Sequence, residues 1–295
     1  MTIPPEVDDL AVRRQAARAA KDYAASDELR EQIAALGWLV KDTPEGQQLT
    51  VAPPYPVLGS VGELADRSEQ TAPGCVVTLV IDGWPGDVRT CVEALLQHTE
   101  ADLVLLENGE TDAADVIHEL AQQPRVEEIH LARAAGWAEA RNALIRYATA
   151  EVHVVMDLST ILEGDALSPL VGALETADAA GWRGVHVLDD WLSFADSPAG
   201  EVEALLSYLI AVRRQVALEV PLPAKARFYR NADMEWSFLL REQGKRLVAV
   251  DLPVRQDRHR GYHDSDPVMR DRESKKTYDR FLQRFRGRED LRLPR

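Results

Sequence analysis

From Val76 onward, short apolar runs alternate with longer amphipathic stretches. Val76–Ile81, Leu103–Leu106, Val126–Leu131 and Val152–Met156 read as buried strands. Val88–His98, Ala113–Gln122 and Ala138–Ala148, the stretches between them, read as helices. Strands and helices in this alternation call for an α/β domain, with a mostly parallel sheet covered on both faces. Further on, the pattern predicts a buried helix over Leu205–Val216 and a second helix over Met234–Arg241. A stripe of Tyr278, Phe281, Leu282 and Phe285 docks the tail onto the domain.

Before Val76 the pattern differs. Residues 7–36 read as two helices, with Ser26 as N-cap of the second and Gly37 at its end. Residues 42–60 hold Pro44, Gly46, Pro53, Pro54, Pro56 and Gly59, a density that marks an irregular connection. The expected organisation is a helical hairpin over 1–50, a linker over 51–73 and an α/β domain over 74–295.

Charge narrows the partners. The 295 residues carry a formal net charge of −15, which opposes binding to nucleic acid and to anionic membranes. Residues 255–295 hold 13 Lys+Arg and 8 Asp+Glu, a net of +5, so the remainder carries −20. Such a tail suits a phosphate-bearing ligand or a solvated helix. Cys75 and Cys91 have no partner spacing for a metal finger or a disulfide framework. The N-terminus lacks an apolar signal core, and no run approaches a membrane span, so a cytoplasmic protein without a transmembrane segment is the expectation.

In a parallel sheet, ligands bind beyond the carboxyl ends of the strands. Those ends read Asp82-Gly83-Trp84, Glu107-Asn108-Gly109, Arg133-Ala134-Ala135-Gly136-Trp137 and Asp157-Leu158-Ser159. Acidic and amide groups there suit a nucleoside and its diphosphate, though a strand-end Asp also commonly caps the next helix.

The stretch Gly136…Ala140-Arg141-Asn142-Ala143…Val154-Val155-Met156-Asp157-Leu158-Ser159 resembles the signature of family 2 glycosyltransferases of the GT-A fold. The resemblance implies a nucleotide-sugar donor, an acceptor of unspecified chemistry and a divalent metal, Mn2+ or Mg2+. It places the donor at Asp82, Asn108, Arg141, Asn142, Asp157 and Ser159. Asp157 matches the acidic metal motif, and serine stands at its second acidic position. A second block, Arg227–Gly244, matches the place where an acidic pair opens a helix and one carboxylate serves as base. Asp233 and Glu235 are the candidates, with Asp233 favoured by position. The residues alone favour the plainer roles, Asp233 as cap of the Met234–Arg241 helix and Glu235 as a solvated carboxylate; the catalytic roles are what the resemblance implies. A third block, Val250–His263, puts His259 where the family often has a metal-binding histidine, with Asp257 two residues earlier. Arg255, Arg258 and Arg260 nearby are placed to neutralise a departing diphosphate. The function implied is sugar transfer, probed against two alternatives: a catalytically impaired nucleotide-sugar-binding protein, and an RNA- or synthetase-associated module.

The last alternative comes from the N-terminus. Arg14–Gly37 followed by Lys41-Asp42-Thr43-Pro44-Glu45-Gly46 resembles the C-terminal helical tail of cysteinyl-tRNA synthetases. Residues 1–70 carry 12 acidic and 7 basic residues, a poor charge balance for RNA.

Overall fold

The apolar runs become strands because each is buried on both faces. In the computed structural model, which describes residues 2–44 and 46–294, Val77, Leu79 and Ile81 of one strand pack under the helix Pro85–His98. Val76 faces the other way, with Val104, Leu106 and Leu144. The nine-stranded sheet runs in the order 200–201, 247–249, 179–181, 209–213, 150–156, 72–81, 102–107, 126–131, 57–58. From 150–156 to 57–58 the pairing is parallel. Ile81 stands opposite Glu107, Leu79 opposite Met156, and Glu107 opposite His130. That register delivers Asp82, Asn108 and Asp157 to the same edge of the sheet.

The helix expected over Leu205–Val216 does not form. Leu209–Arg213 is a strand, antiparallel to Ala150–Met156 on one side and Ala179–Gly181 on the other. Only Arg214–Glu219 is helical. Leu209, Ile210, Ala211 and Val212 are all buried, so the run is apolar because both of its faces are covered, as in a central strand.

The tail helix Pro267–Phe285 docks through Phe281 and Phe285, both fully buried beside Phe238 and Trp191. Tyr278 is only half-buried at the edge of that contact. Cys75 and Cys91 are free thiols. Among the described residues no helix is long and apolar enough to cross a membrane.

The chain divides into compact units at residues 1–56 and 57–295. The first has its own core of Val7, Leu10, Ile33, Trp38 and neighbours. Its helices are Pro5–Ala19 and Tyr23–Ala35. Asp22, not Ser26, caps the second, accepting from the Ala25 N–H at 3.1 Å, while Ser26 is buried within the helix. Gly37 follows the helix end with φ of +76°, as a C-terminal turn requires. The stretch expected to be irregular begins with a two-stranded antiparallel hairpin, Trp38–Thr43 with Gly46–Val51. Arg14, 1% exposed, stitches this unit together with a bidentate pair to Asp42 at 2.8 and 2.9 Å. Glu45 of the turn lies outside the described residues. The second unit begins inside the stretch expected as a linker: Val57–Leu58 extends the large sheet, and Arg214 binds the carbonyls of Arg67 and Gln70.

Candidate functional site

Two cavities open beyond the carboxyl ends of the parallel strands. The first, about 290 Å³, is lined by Asp82, Trp84, Asn108, Arg141, Asp157 and Ser159 among others. That volume is near the lower bound for small-molecule sites. The second, about 520 Å³, holds Ser207, Tyr208, Arg230 and Asp233. Tyr229, Arg258 and His259 line both.

Local sequence builds the first cavity. Gly83 has φ of +122°, and a Cβ there would stand 3.0 Å from Asp112 Oδ1, so the turn after the first strand needs glycine. Trp84 follows in the left-handed region at φ of +64°, its N–H donating to Asp112 at 3.1 Å. Asn108 spends its amide on the frame: Nδ2 donates to Asp82 Oδ1 at 2.7 Å and to the Ala135 carbonyl at 3.1 Å, while Oδ1 accepts from Ala135 N–H at 2.7 Å. Asn108 therefore positions Asp82 and the Ala134–Ala135 loop. Asp82 opens onto the cavity, yet the walls deprive its carboxyl of water, and burial pushes its pKa up against the Asn108 bond. Arg141 is 6% exposed and donates to the Trp137 carbonyl at 3.2 Å. Burial draws its pKa down to about 10, with Asp157 and Asp82 resisting the fall.

Asp157 is the junction. Its Oδ1 accepts from Ser159 N–H at 2.9 Å and from the Ser159 hydroxyl, and its Oδ2 lies 3.2 Å from His259 Nε2. Burial pushes its carboxyl up, but the bonds from His259 and Ser159 prevail and hold it below the usual carboxylate range. His259 Nδ1 accepts from Tyr262 N–H, which leaves Nε2 to carry the proton toward Asp157. The imidazole is stacked on Tyr229 at 4.4 Å between centroids.

Asp233 lies in the second cavity, 7% exposed. Its Oδ2 accepts from Ser207 N–H at 3.0 Å and from the Ser207 hydroxyl at 3.3 Å, and its Oδ1 from Met234 N–H at 2.9 Å. Burial outweighs these bonds and raises its pKa above the ordinary value. Asn231, not Asp233, occupies the N-cap position of the helix Ala232–Glu242.

Two expected site residues point elsewhere. Asn142 spends its amide on Leu222, accepting from its N–H and donating to its carbonyl, both at 2.9 Å, and is absent from the lining of both cavities. Its neighbour Arg141 faces the cavity because one step along a helix turns a side chain by about 100°. Glu235 is not solvated and faces neither cavity. It is 7% exposed and gripped by Arg280, Nη2 to Oε2 at 2.9 Å and Nε to Oε1 at 3.2 Å. It anchors the tail helix. The cations assigned to a diphosphate are also engaged: Arg255 with Asp257, Arg258 with Asp264, and Arg260 with Asp87. Trp191 and Trp236 are core residues, and Trp182 packs edge-on to Tyr208.

The sequence reading passed over Tyr229, Tyr208 and Ser207. Tyr229 sits inside the block that carries Asp233, and that adjacency was the signal available. Ser207 lay in the stretch misread as helix.

For a divalent cation the donor set is one carboxylate and one imidazole, Asp157 and His259, side by side at the wall of the first cavity. Ser159 spends its hydroxyl on Asp157 rather than on a ligand. No group of three His, Cys, Asp or Glu converges among the described residues. With Tyr262 N–H on Nδ1 and a proton on Nε2, His259 offers a cation a lone pair only after Nε2 gives up that proton. Asp157 and the deprotonated imidazole then fit a cation whose remaining positions are filled by substrate phosphate oxygens and water, the usual habit of Mg2+ in phosphate sites.

Comparison with known families matches glycosyl transferase family 2 to residues 83–265. The cysteinyl-tRNA ligase anticodon binding domain matches residues 2–49. Cysteine–tRNA ligase of Lacticaseibacillus casei is 49% identical over 45 residues, 15% of this chain and 10% of that protein. The enzyme of Bdellovibrio bacteriovorus is 65% identical over 40 residues, 14% of this chain and 8% of that protein. The chain thus spans about a tenth of these curated relatives. Among solved structures, GalNAc-T7 with UDP, GalNAc and Mn2+ gives a TM-score of 0.59 at 16% identity, over 71% of this chain and 48% of that one. The mannosyltransferase PcManGT of Pyrobaculum calidifontis, in complex with GDP-Man and Mn2+, gives 0.52 at 16% identity, over 68% and 62%. The fold is that of the GT-A glycosyltransferases.

Proposed function

The chain belongs to glycosyl transferase family 2, and from that premise we propose that it moves a sugar from a nucleoside-diphosphate donor to an acceptor hydroxyl, with inversion at the anomeric carbon. The observation that carries this is the shared wall of Tyr229 and His259. Asp157 lies on one side, in a cavity suited to a nucleotide, and the pKa-raised Asp233 lies on the other.

The donor lies in the first cavity, its nucleoside toward Asp82 and its diphosphate toward Asp157 and His259. Asp157 and His259 would hold the divalent cation, which supplies positive charge against the diphosphate. Arg141, buried and still cationic at neutral pH, adds to that field. The acceptor hydroxyl lies in the second cavity against Asp233. As its oxygen bonds to the anomeric carbon, the bond from that carbon to the phosphate oxygen breaks and its electron pair leaves with the diphosphate. The hydroxyl proton passes to Asp233. A carboxyl raised above its ordinary pKa is a stronger base once ionised, which suits that transfer.

The test is Mn2+-dependent binding and turnover of UDP-, GDP- and dTDP-sugars by wild type, Asp157→Ala and Asp233→Ala. Binding lost in the first variant and turnover lost in the second support the reading. Binding without turnover of any donor would replace catalysis with nucleotide-sugar binding alone, the reading that Ser159 in place of a second carboxylate favours.

A further inference from the structure

The second cavity is tyrosine-rich, and its lining residues also carry charge. Two of its charges are already matched: Asp257 takes a bidentate contact from Arg255 at 3.0 and 3.2 Å, and Arg258 binds Asp264 at 2.6 Å. Asp233 is satisfied by Ser207 and Met234. Arg230 differs. Its Nη1 donates to the Tyr262 hydroxyl at 3.2 Å and its guanidinium stands 5.3 Å from that ring, with no carboxylate paired to it among the described residues. Tyr262 thus orients the guanidinium without neutralising it. A second guanidinium, Arg183, lies over Trp182 at 4.4 Å and reaches the Tyr208 ring at 6.0 Å, so another cation borders the same tyrosine wall. His263 also lines the cavity.

Arg230 is exposed, so in the free protein water rather than a carboxylate compensates it, and its donors remain available to an anionic ligand in this cavity. The donor diphosphate does not account for that cation, because Arg230 lines the second cavity and is absent from the lining of the first. Arg230 also precedes Asp233 by three residues, just before the N-cap of the helix Ala232–Glu242, and both line the second cavity.

We propose that the acceptor is a small hydroxylated anion, a phosphorylated or carboxylated alcohol or sugar, whose anionic group pairs with Arg230 while its hydroxyl meets Asp233. This rests on the transferase reading for the role of Asp233. A guanidinium forms two parallel hydrogen bonds to either a phosphate or a carboxylate, so both are named as one chemistry. Tyr208 and Tyr229 supply the apolar faces along which the carbon frame lies.

The test is direct binding by calorimetry of sn-glycerol 3-phosphate, glycerate and glycerol to the full chain, without donor. The variants are Arg230→Gln, Arg230→Lys and, as a control in the first cavity, Arg227→Gln. The expected result is that at least one anionic probe binds wild type at least about tenfold more tightly than glycerol. That advantage disappears in Arg230→Gln, returns in part in Arg230→Lys and persists in Arg227→Gln. Which anion retains the advantage separates phosphate from carboxylate. The proposal is overturned if neither anion exceeds glycerol, or if the loss follows Arg227 instead of Arg230. Sugar-nucleotide binding is measured separately with Asp157→Ala. If nucleotides fail to bind while anions still depend on Arg230, the transferase reading falls and the anion site stands.

Discussion

Replacing Asp233 by asparagine keeps the side chain's size and removes the proposed base. In the native protein its two oxygens accept three hydrogen bonds, two from Ser207 and one from Met234 N–H. Asparagine offers one oxygen and one NH2. If its oxygen serves Ser207, its NH2 confronts the Met234 N–H, and one buried donor goes unsatisfied at a cost of about 1–3 kcal/mol. Against that loss stands a relief. Burial raises the folded pKa of Asp233, so its contribution to stability is full below the unfolded value and is lost as pH rises through the folded one. Asparagine does not titrate, so the stability gap between variant and wild type should narrow as pH rises through that window, readable as thermal midpoints across a pH series. On activity, loss of a positioned base costs about 10²- to 10⁴-fold, roughly 3–5 kcal/mol of barrier. Steady-state assays at saturating acceptor should show that fall in kcat with donor affinity unchanged. The acid limb of the pH–rate profile, set in wild type by the raised Asp233 pKa, should vanish. Activity within about threefold of wild type would refute the assignment of Asp233 as base.

Two further outcomes follow from the same geometry. Arg280→Ala strips Glu235 of its partner and leaves a buried carboxylate, with an expected loss of about 3 kcal/mol by denaturant titration and kcat unchanged; the figure is at the low end for a buried pair because the Arg280 side chain keeps 25% exposure. His153 is fully buried, and desolvation, aided by Arg214, draws its pKa from 6.5 to about 3. Its neutral form is the folded one, so stability is present above pH 6.5 and falls toward pH 3 by at most about 1.4 kcal/mol per unit; His153→Gln should flatten that part of the stability curve.

The parallel half of the sheet was legible because its strands are buried on both faces and its helices are amphipathic, and those are the patterns a sequence records most plainly. Val126–Leu131 was read to the residue. The antiparallel insertion was not legible. Leu209–Val212 is as apolar as a buried helix, and only its pairing with Ala150–Met156 and Ala179–Gly181 distinguishes it. At the candidate site, strand-end position groups Asp82, Asn108 and Asp157, because register alone brings them to one edge. The roles were harder to read. Asn108 is a brace and Glu235 an anchor because of Ala135 and Arg280, partners 27 and 45 residues away along the chain. Asn142 failed as a donor contact because the two amides beside it on Leu222 claim its whole side chain. In the N-terminal unit, Asp42, Thr43 and Gly46, read as the start of an irregular stretch, lie on the two strands of a hairpin. Asp42 pairs with Arg14 and the Thr43 hydroxyl bonds the Gly46 carbonyl at 2.8 Å, long-range and local closures that composition does not record.

The central claim is that a sugar is cleaved from a nucleotide donor held at Asp157 and His259. The direct measurement is proton NMR of UDP-, GDP- and dTDP-sugars incubated with Mn2+ and a pool of small hydroxylated anions, run beside Asp157→Asn and Asp233→Asn. The account predicts that at least one donor yields nucleoside diphosphate and a glycoside of inverted anomeric configuration, that Asp157→Asn weakens donor binding, and that Asp233→Asn binds the donor but does not turn it over. Donors that stay intact and bind wild type and Asp157→Asn with equal affinity would contradict it.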